Sequence, residues 1–245
     1  MKDLNRVQLI GHLGQDPEVT YTATGTARTT FRVATSARME VPPIIEGCKE
    51  HTMDTLPFFA PTTYPTADFT IRTYLPGDGA ALQAATVSSY DHLRPWMPWA
   101  TADQTIDAAE ALCRRFYAAY LLNENFVLGV WRGADLVGGT GFHLRHGGLE
   151  QRTSEVGLWM RASVAGRGLG TQVLAAVLAW GFDAWGWERL VWTCDTRNTA
   201  SMRVAEKNGL TREGVLRADQ LDVSGVRRDT AVYAILRTDW LARQP

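Results

Sequence analysis

The sequence predicts an α+β fold in one layered domain that occupies most of the chain. From Phe69 onward, segments with the alternating pattern of strands and segments with the helical period follow one another without a long break. Their mixed order favours a mostly antiparallel sheet that carries a few helices. All nine tryptophans lie in this part of the 245-residue chain, between Trp96 and Trp240, so one sizeable core is expected here.

The first half of this domain is predicted from short apolar patterns and turn residues. A strand, FTIRTY, precedes a helix that starts within PGDGAALQAATV, and residues 103–122 form a second helix. Apolar residues of that second helix recur near the 3.6-residue period, at Ile106, Ala109, Leu112, Phe116, Ala119 and Leu122. A hairpin across Gly133 to Asp135 then joins NFVLGVWR to LVGGTGFHL, and SEVGLWM forms the next strand.

The second half begins with a helix that has one apolar face. Its buried residues are expected to be Val173, Leu174, Val177, Leu178 and Gly181. A strand, RLVWTCD, follows, and then a short helix from Thr199 and a closing strand, DTAVYAIL. These elements complete the predicted sheet and its helices.

Composition divides the chain into three expected regions. Residues 1–38 show strand and turn chemistry. Residues 39–66 carry five prolines and no sustained period, which predicts a linker. The layered domain then extends over residues 67–245.

Charge and cysteine content exclude several classes of function. The formal net charge is −1, so no basic field favours binding to nucleic acid. Three cysteines without CxxC spacing indicate a reducing, cytoplasmic location without disulfides, and neither they nor the five histidines have the spacing of metal ligands. No apolar run approaches the ~20 residues of a membrane span, and the polar start MKDLNR lacks the apolar core of a secretion signal.

The strongest functional signal is VAGRGLGTQVLAAVLAW, residues 164–180. Glycines at 166, 168 and 170 precede an amphipathic helix, so backbone N–H groups converge at a helix N-terminus, where an anion is stabilised. The pattern is neither a Walker A loop nor a complete dinucleotide fingerprint. A pyrophosphate site is the functional interpretation, and a tight strand-to-helix turn is the structural one.

A second stretch, DTRNTASMRVAEKNGLTREGVLR, follows the strand after this loop. Asn198 is placed as the N-cap of a helix, Ser201 at its third position and Gly209 at its end. Together with EVGLWM, GRGLG and RRDTAVYAIL, this order of motifs resembles the GNAT N-acetyltransferases, and within them the RimJ/RimL type that acetylates protein N-termini. The resemblance spans about residues 67–245, with Ala165 where that family often has Gln or Arg.

The resemblance implies the GNAT fold, a mixed and mostly antiparallel sheet whose two central strands splay apart, with acetyl-CoA in the gap. The main chain around Leu158, Trp159 and Met160 would then bind pantetheine. The pyrophosphate would lie against the loop formed by Ala165, Gly166, Arg167, Gly168, Leu169, Gly170 and Thr171. Asn198 and Ser201 would lie near the thioester, and no metal would be required.

Direct transfer of the acetyl group requires a general base for the amine and an acid for the departing thiolate. Glu155 is the candidate base and Ser201 the candidate acid, although a solvated strand residue and a capping side chain are the alternative interpretations. Asp219 or Asp222, just after the EGVLR stretch, could take the role of the base instead. Cys194 is expected to be packed core, and Trp96, Met97 and Trp99 to line the acceptor mouth or to be ordinary core aromatics.

The expected function is therefore acetyl transfer to a primary amine, most simply the N-terminal α-amine of a protein, by a monomer or homodimer. A small amine or an antibiotic is the alternative acceptor. A non-catalytic acyl-CoA sensor and a DNA-associated protein are the rival classes.

The start of the chain has a different relative. Residues 4–38, LNRVQLIGHLGQDPEVTYTATGTARTTFRVATSAR, resemble the first strands of bacterial single-stranded-DNA-binding proteins, which implies an incomplete OB-fold. Residues 1–38 have no tryptophan on which bases could stack, and only five basic against three acidic residues. We expect residues 1–52 to be dispensable and poorly packed against the rest, whether they are a fusion or follow from a start site assigned too far upstream.

Overall fold

The computed structural model describes residues 58–243 continuously and, before them, the backbone of four short strands. These four strands are β1 (His12–Leu13), β2 (Glu18–Tyr21), β3 (Ala27–Thr30) and β4 (Val33–Ala34). They pair antiparallel as β1 with β4 and β2 with β3. The chain divides into two compact units, Met1–Pro57 and Phe58–Pro245.

The second unit is built on one eight-stranded sheet with helices. Its first half contains β5 (Thr63–Pro65), β6 (Thr70–Thr73), α1 (Gly79–Val87), α2 (Tyr90–Leu93), α3 (Ile106–Leu121), β7 (Phe126–Arg132) and β8 (Asp135–His143). Its second half contains β9 (Thr153–Met160), a 3₁₀ turn (Ala162–Val164), α4 (Leu169–Asp183), β10 (Arg189–Asp195), α5 (Thr199–Lys207), β11 (Thr211–Leu221), β12 (Arg227–Leu236) and α6 (Arg237–Leu241).

The strand order is β11-β12-β10-β9-β8-β7-β6-β5, and all neighbours are antiparallel except β9 and β10. This arrangement confirms the predicted α+β class and the mostly antiparallel sheet. The hairpin across Gly133 is also confirmed, since Arg132 pairs with Asp135 and Gly133 has φ +58°.

Two hydrophobic cores cover the two faces of the sheet. The larger contains the apolar face of α4, and all five residues predicted for that face are buried. The smaller lies where α1 and α3 pack on β7 and β8, around Tyr74, Trp131 and Leu136. Because side chains alternate along a strand, β7 and β8 contribute to both cores.

Helix α3 faces the smaller core through the middle of the predicted stripe, at Ala109, Leu112 and Phe116, but not through its two ends. Ala109, Cys113 and Tyr120 are its buried residues, whereas Ile106 and Leu122 of the predicted stripe are 54% and 66% exposed. The helix begins at Ile106 because the Thr105 hydroxyl accepts the N–H of Ala108. Small and polar side chains that face the sheet carry little signal in a hydrophobicity pattern.

The predicted linker of residues 39–66 ends inside the second unit. Strand β5 pairs with β6 at the edge of the sheet, and Phe58 and Tyr64 pack against the larger core. Tyr64 also stacks on Trp180, with ring centroids 5.5 Å apart. Pro65 is compatible with this position because an edge strand need not donate every N–H.

We expect a chain that begins at Met53 to keep the folding stability of the full chain. Among the residues that the structure describes, every strand of the eight-stranded sheet and every member of both cores lies at or after Phe58. Thermal unfolding of the full chain and of the Met53 chain should give midpoints within a few degrees of each other. A chain that begins at Thr66, which lacks Phe58 and Tyr64, is the control and should melt lower. A large loss of stability in the Met53 chain would contradict this expectation.

Candidate active site

The centre of the sheet contains a gap between β9 and β10. The two strands pair only at Thr153–Arg189, Ser154–Leu190 and Glu155–Val191, although β9 continues to Met160 and β10 to Asp195. Their outer edges remain paired, β9 with β8 and β10 with β12. Beyond these pairs, the backbone edges of β9 and β10 therefore face each other without hydrogen bonds between the strands. Leu158, Trp159 and Met160 lie on the β9 edge.

The loop that follows β9 ends at this gap and is rich in free amides. Gly166 and Gly168 have φ of +73° and +84°, and a Cβ on either would meet no atom within 4 Å. Gly168 caps α4 with no side-chain hydrogen bond. Within the described chain the amides of residues 166–170 have no protein acceptor, whereas the Thr171 N–H bonds to the Gly168 carbonyl.

Helix α5 lies beside the gap, and its start and end are as predicted. The Asn198 side chain accepts the N–H of Ser201 at 3.0 Å. At the other end Gly209 has φ +72°, and its N–H bonds to the Glu206 carbonyl. The Ser201 hydroxyl accepts the indole N–H of Trp192 at 3.1 Å, which places it on the α4 side of β10.

Glu155 lies where the two strands part, and it is only 8% exposed. Its Oε1 accepts hydrogen bonds from Arg145 Nη1 and Thr193 Oγ1, each at 3.1 Å. His146 Nε2 lies 3.1 Å from Oε2. The bond from Thr193, on β10, crosses the gap at its closed end. Glu155 is therefore a fixed, nearly buried carboxylate and not a solvated strand residue.

His143 lies opposite Glu155 in the β8–β9 register. Its Nδ1 lies 3.0 Å from Asn125 Oδ1. Burial, together with the charge of Arg145, lowers the pKa of His143 to about 4, although Glu155 opposes this shift. The imidazole is therefore neutral at neutral pH.

The alternative carboxylates lie in the β11–β12 hairpin. Asp222 Oδ1 accepts the N–H of Ser224 and of Val226, each at 3.0 Å, and its Oδ2 accepts from Arg197. These bonds, with that from the Ser224 hydroxyl, hold the pKa of Asp222 well below its usual range. Arg197 also pairs with the buried Asp195 and lowers its pKa. Asp219 lies on the exposed strand β11.

Other candidates have clear positions. Cys194 is buried, and burial raises the pKa of its thiol, as expected for a packed residue. Trp99 is half exposed and contacts Trp159 edge-on, with centroids 5.8 Å apart. Trp159 belongs to the same face of β9 as Glu155 and lies over Gly139, where a Cβ would clash with its indole ring.

A family profile described as "Acetyltransferase (GNAT) domain" matches residues 68–211, more than half of the chain. The chain belongs to the GNAT acetyltransferase family. The predicted enzyme class, N-acetyltransferase, and the predicted GNAT fold with its splayed strands are thereby confirmed.

Relatives of this GNAT protein include two proteins of Bacillus subtilis strain 168. The uncharacterized N-acetyltransferase YoaA is 30% identical over 136 residues, which cover 55% of this chain and 75% of YoaA. The putative ribosomal N-acetyltransferase YdaF is 25% identical over 174 residues, 70% of this chain and 92% of YdaF. A solved structure of RimL, the ribosomal L7/L12 alpha-N-protein acetyltransferase in complex with coenzyme A, matches with a TM-score of 0.64 at 19% identity, covering 71% of this chain and 97% of RimL.

The N-terminal resemblance is confirmed as well. A profile described as "Single-strand binding protein family" matches residues 4–55, so the similarity continues beyond residue 38.

In the part of the chain that the structure describes, no helix is long and apolar enough to cross a membrane. Among the same residues, no three His, Cys, Asp or Glu side chains are grouped as a metal site.

Sequence reasoning missed the side chains that surround Glu155. Thr193 and Glu155 are 38 positions apart and meet only because β9 and β10 are neighbours. The run FHLRH, residues 142–146, was the available signal, because it places three basic side chains at the end of β8 and just after it, before the strand that carries Glu155. An antiparallel register would have placed His143 beside that carboxylate.

We expect His143 to make folding stability depend on pH in a defined window. Its folded-state pKa is lowered to about 4, whereas an unfolded histidine titrates near ~6.5. The folded state therefore keeps its full stability above the pKa of the unfolded histidine. As the pH falls from that pKa through the pKa of the folded state, the free energy of unfolding decreases, by roughly 3 kcal/mol at most. Urea unfolding at several pH values should show a shallower loss for His143→Phe than for wild type. The exposed His92, changed to Phe, is the control, and equal slopes in all three proteins would contradict the expectation.

Proposed function

We propose that the protein transfers an acetyl group directly from acetyl-CoA to the N-terminal α-amine of a protein or peptide, within a ternary complex. The observation that carries this proposal is the parting of β9 and β10 after Glu155 and Val191, beside a loop of free amides. The gap offers an extended chain two backbone edges, and the loop offers an anion several N–H donors.

Acetyl-CoA fits the residues that surround the gap. The main chain of Leu158, Trp159 and Met160 would bond the pantetheine as a strand would. Within the predicted loop from Ala165 to Thr171, the free amides of residues 166–170 would hold the pyrophosphate, with the exposed Arg167 beside it, because the open space at Gly166 and Gly168 admits a close approach. Asn198 and Ser201 would flank the thioester. The RimL structure, which has the same fold, contains coenzyme A, and this supports the assignment.

Glu155 is the proposed base and Ser201 the proposed acid, and each faces the gap from a different side of the sheet. Glu155 would take a proton from the acceptor's ammonium group, and the Ser201 hydroxyl would give one to the departing thiolate. Asp222 is a poorer candidate because its bonds stabilise the ionised form. The raised pKa of Cys194 argues against an acetyl-cysteine intermediate.

Two considerations favour an N-terminal amine as the acceptor. Deprotonation at pH 7 costs ~1.4 kcal/mol for an α-amine but ~4.6 kcal/mol for a lysine, so a modest base is sufficient for the former. The names of YdaF and RimL refer to ribosomal and alpha-N-protein acetylation. Trp99 and Trp159 would form an apolar wall for the first side chains of the peptide.

An acetyl-transfer screen tests the proposal. The panel contains peptides with different first residues, N-terminally blocked peptides with an internal lysine, and amine antibiotics, with coenzyme A release as the readout. Transfer to free N-termini and not to blocked lysine peptides is expected. Preference for an antibiotic would replace the proposed acceptor. Binding of acetyl-CoA without transfer to any amine would indicate a sensor.

We expect Gly168→Asp to abolish binding of coenzyme A while the fold is kept. The new carboxylate would stand at the start of α4, where the pyrophosphate charge must lie. Gly133→Asp is the matched control, because Gly133 also has a positive φ and open space around it but lies in a distant hairpin. Calorimetry should show no binding by the first variant and wild-type affinity for the second. Equal affinities would refute the assignment of this loop as the pyrophosphate site.

We expect Glu155→Gln to slow acetyl transfer mainly at low pH, where most of the amine is protonated, and Ser201→Ala to lower kcat. General acid–base groups typically contribute about 10²- to 10⁴-fold. Rates from pH 6 to 9 provide the measurement, with Glu188→Gln on the exposed surface as the control. If both variants keep the wild-type profile while Asp219→Asn lowers it, the base lies in the hairpin.

A further inference from the structure

The hydrogen bond between His143 and Asn125 determines which imidazole nitrogen carries the proton. Nδ1 lies 3.0 Å from Asn125 Oδ1, and an amide oxygen can only accept. Nδ1 must therefore be the donor. Because the lowered pKa keeps the ring neutral, Nε2 carries a lone pair and no proton.

Nε2 points toward the space in front of Gly157. A Cβ built on Gly157 would lie 2.8 Å from Nε2 and 3.2 Å from Cδ2, and among the described residues no other atom, apart from Gly157 and its two chain neighbours, lies within 4 Å of that position. Gly157 is half buried and lies on β9 two residues after Glu155, on the same face. A carboxylate, a bare backbone position and an unprotonated ring nitrogen thus border one small space beside the gap.

The charges around this space suit an amine. Glu155 supplies the carboxylate, and Arg145 and His146 contact it from the loop after β8. Thr193 contacts it from β10. His143 is the nearest basic group to Gly157, and in its neutral form it does not repel an ammonium ion. A protonated imidazole would present an N–H and a positive charge to the same ligand.

We infer that His143 is an acceptor-binding residue, whose Nε2 accepts a hydrogen bond from the nitrogen that is acetylated. This inference rests on the proposed function. The ammonium group of the acceptor donates to Glu155 and to His143. After one proton has passed to Glu155, an N–H of the free amine still donates to Nε2, which turns the nitrogen lone pair toward the acetyl group in the gap. The new C–N bond forms as the C–S bond breaks. The second proton that the nitrogen loses replaces the one that the Ser201 hydroxyl gives to the departing thiolate, the remaining N–H stays on Nε2, and His143 gains no proton in the step.

Kinetics on two variants test the inference, with the peptide that wild type acetylates fastest as the acceptor. His143→Phe keeps a ring but removes the lone pair. Gly157→Ala keeps the imidazole but places a methyl group 2.8 Å from Nε2. Both should raise the acceptor KM about tenfold or more, as expected for a lost hydrogen bond to a charged group, with an unchanged acetyl-CoA affinity. Gly214→Ala is the matched control, because a Cβ there meets nothing within 4 Å.

Nitrogen NMR of imidazole-labelled full-length protein provides a second test that needs no turnover. His143 Nε2 should be unprotonated from pH 6 to 9, and Asn125→Leu should abolish this preference for one tautomer. A protonated Nε2 in wild type, or a wild-type acceptor KM in both His143→Phe and Gly157→Ala, would overturn the inference. Absence of acetyl transfer by the wild-type protein would instead refute the proposed function, and this inference with it. Acetyl transfer by the wild-type protein together with an unchanged acceptor KM in both variants would refute the inference alone.

Discussion

The incomplete pairing of β9 and β10 is the constraint on which the arrangement of the site depends. Backbone N–H and C=O groups that face each other without bonding are costly when they are buried. The sheet tolerates them here because each strand keeps a full ladder on its other side, β9 with β8 and β10 with β12. An extended ligand can therefore complete the missing ladder without displacing any protein–protein bond.

Strand alternation gives the two sides of this gap different chemistry. On β10, Leu190, Trp192 and Cys194 belong to the larger core, and Trp192 donates to Ser201 on α5. The residues between them point the other way, and Thr193 reaches Glu155. A hydroxyl and a carboxylate thus lie on opposite faces of the sheet beside the gap.

Local sequence patterns correctly predicted the elements whose signals lie within a few neighbouring residues. The buried face of α4, strand β10 and both ends of α5 were correct because apolar spacing, an Asn cap and a terminal Gly act within a few residues. Strand β11 was not predicted as an element, since all eleven of its residues are exposed and show no alternation. The hydrogen-bond partners of Glu155 could not be predicted from the sequence either, because a loop and a neighbouring strand supply them. Register, and not composition, brings them together.

The Trp99–Trp159 pair and the amide-rich loop are parts of one packed structure. The buried Ser89, between α1 and α2, accepts the N–H of Ala162 at 3.0 Å, which ties the start of the loop to the helices of the opposite face. Trp99, in the segment after α2, contacts Trp159 on β9. The position of the loop and the position of the Trp99–Trp159 pair therefore depend on the same helices. Fixing two substrates relative to each other is a large part of what a transferase can contribute to its rate, and these contacts provide that rigidity from outside the gap.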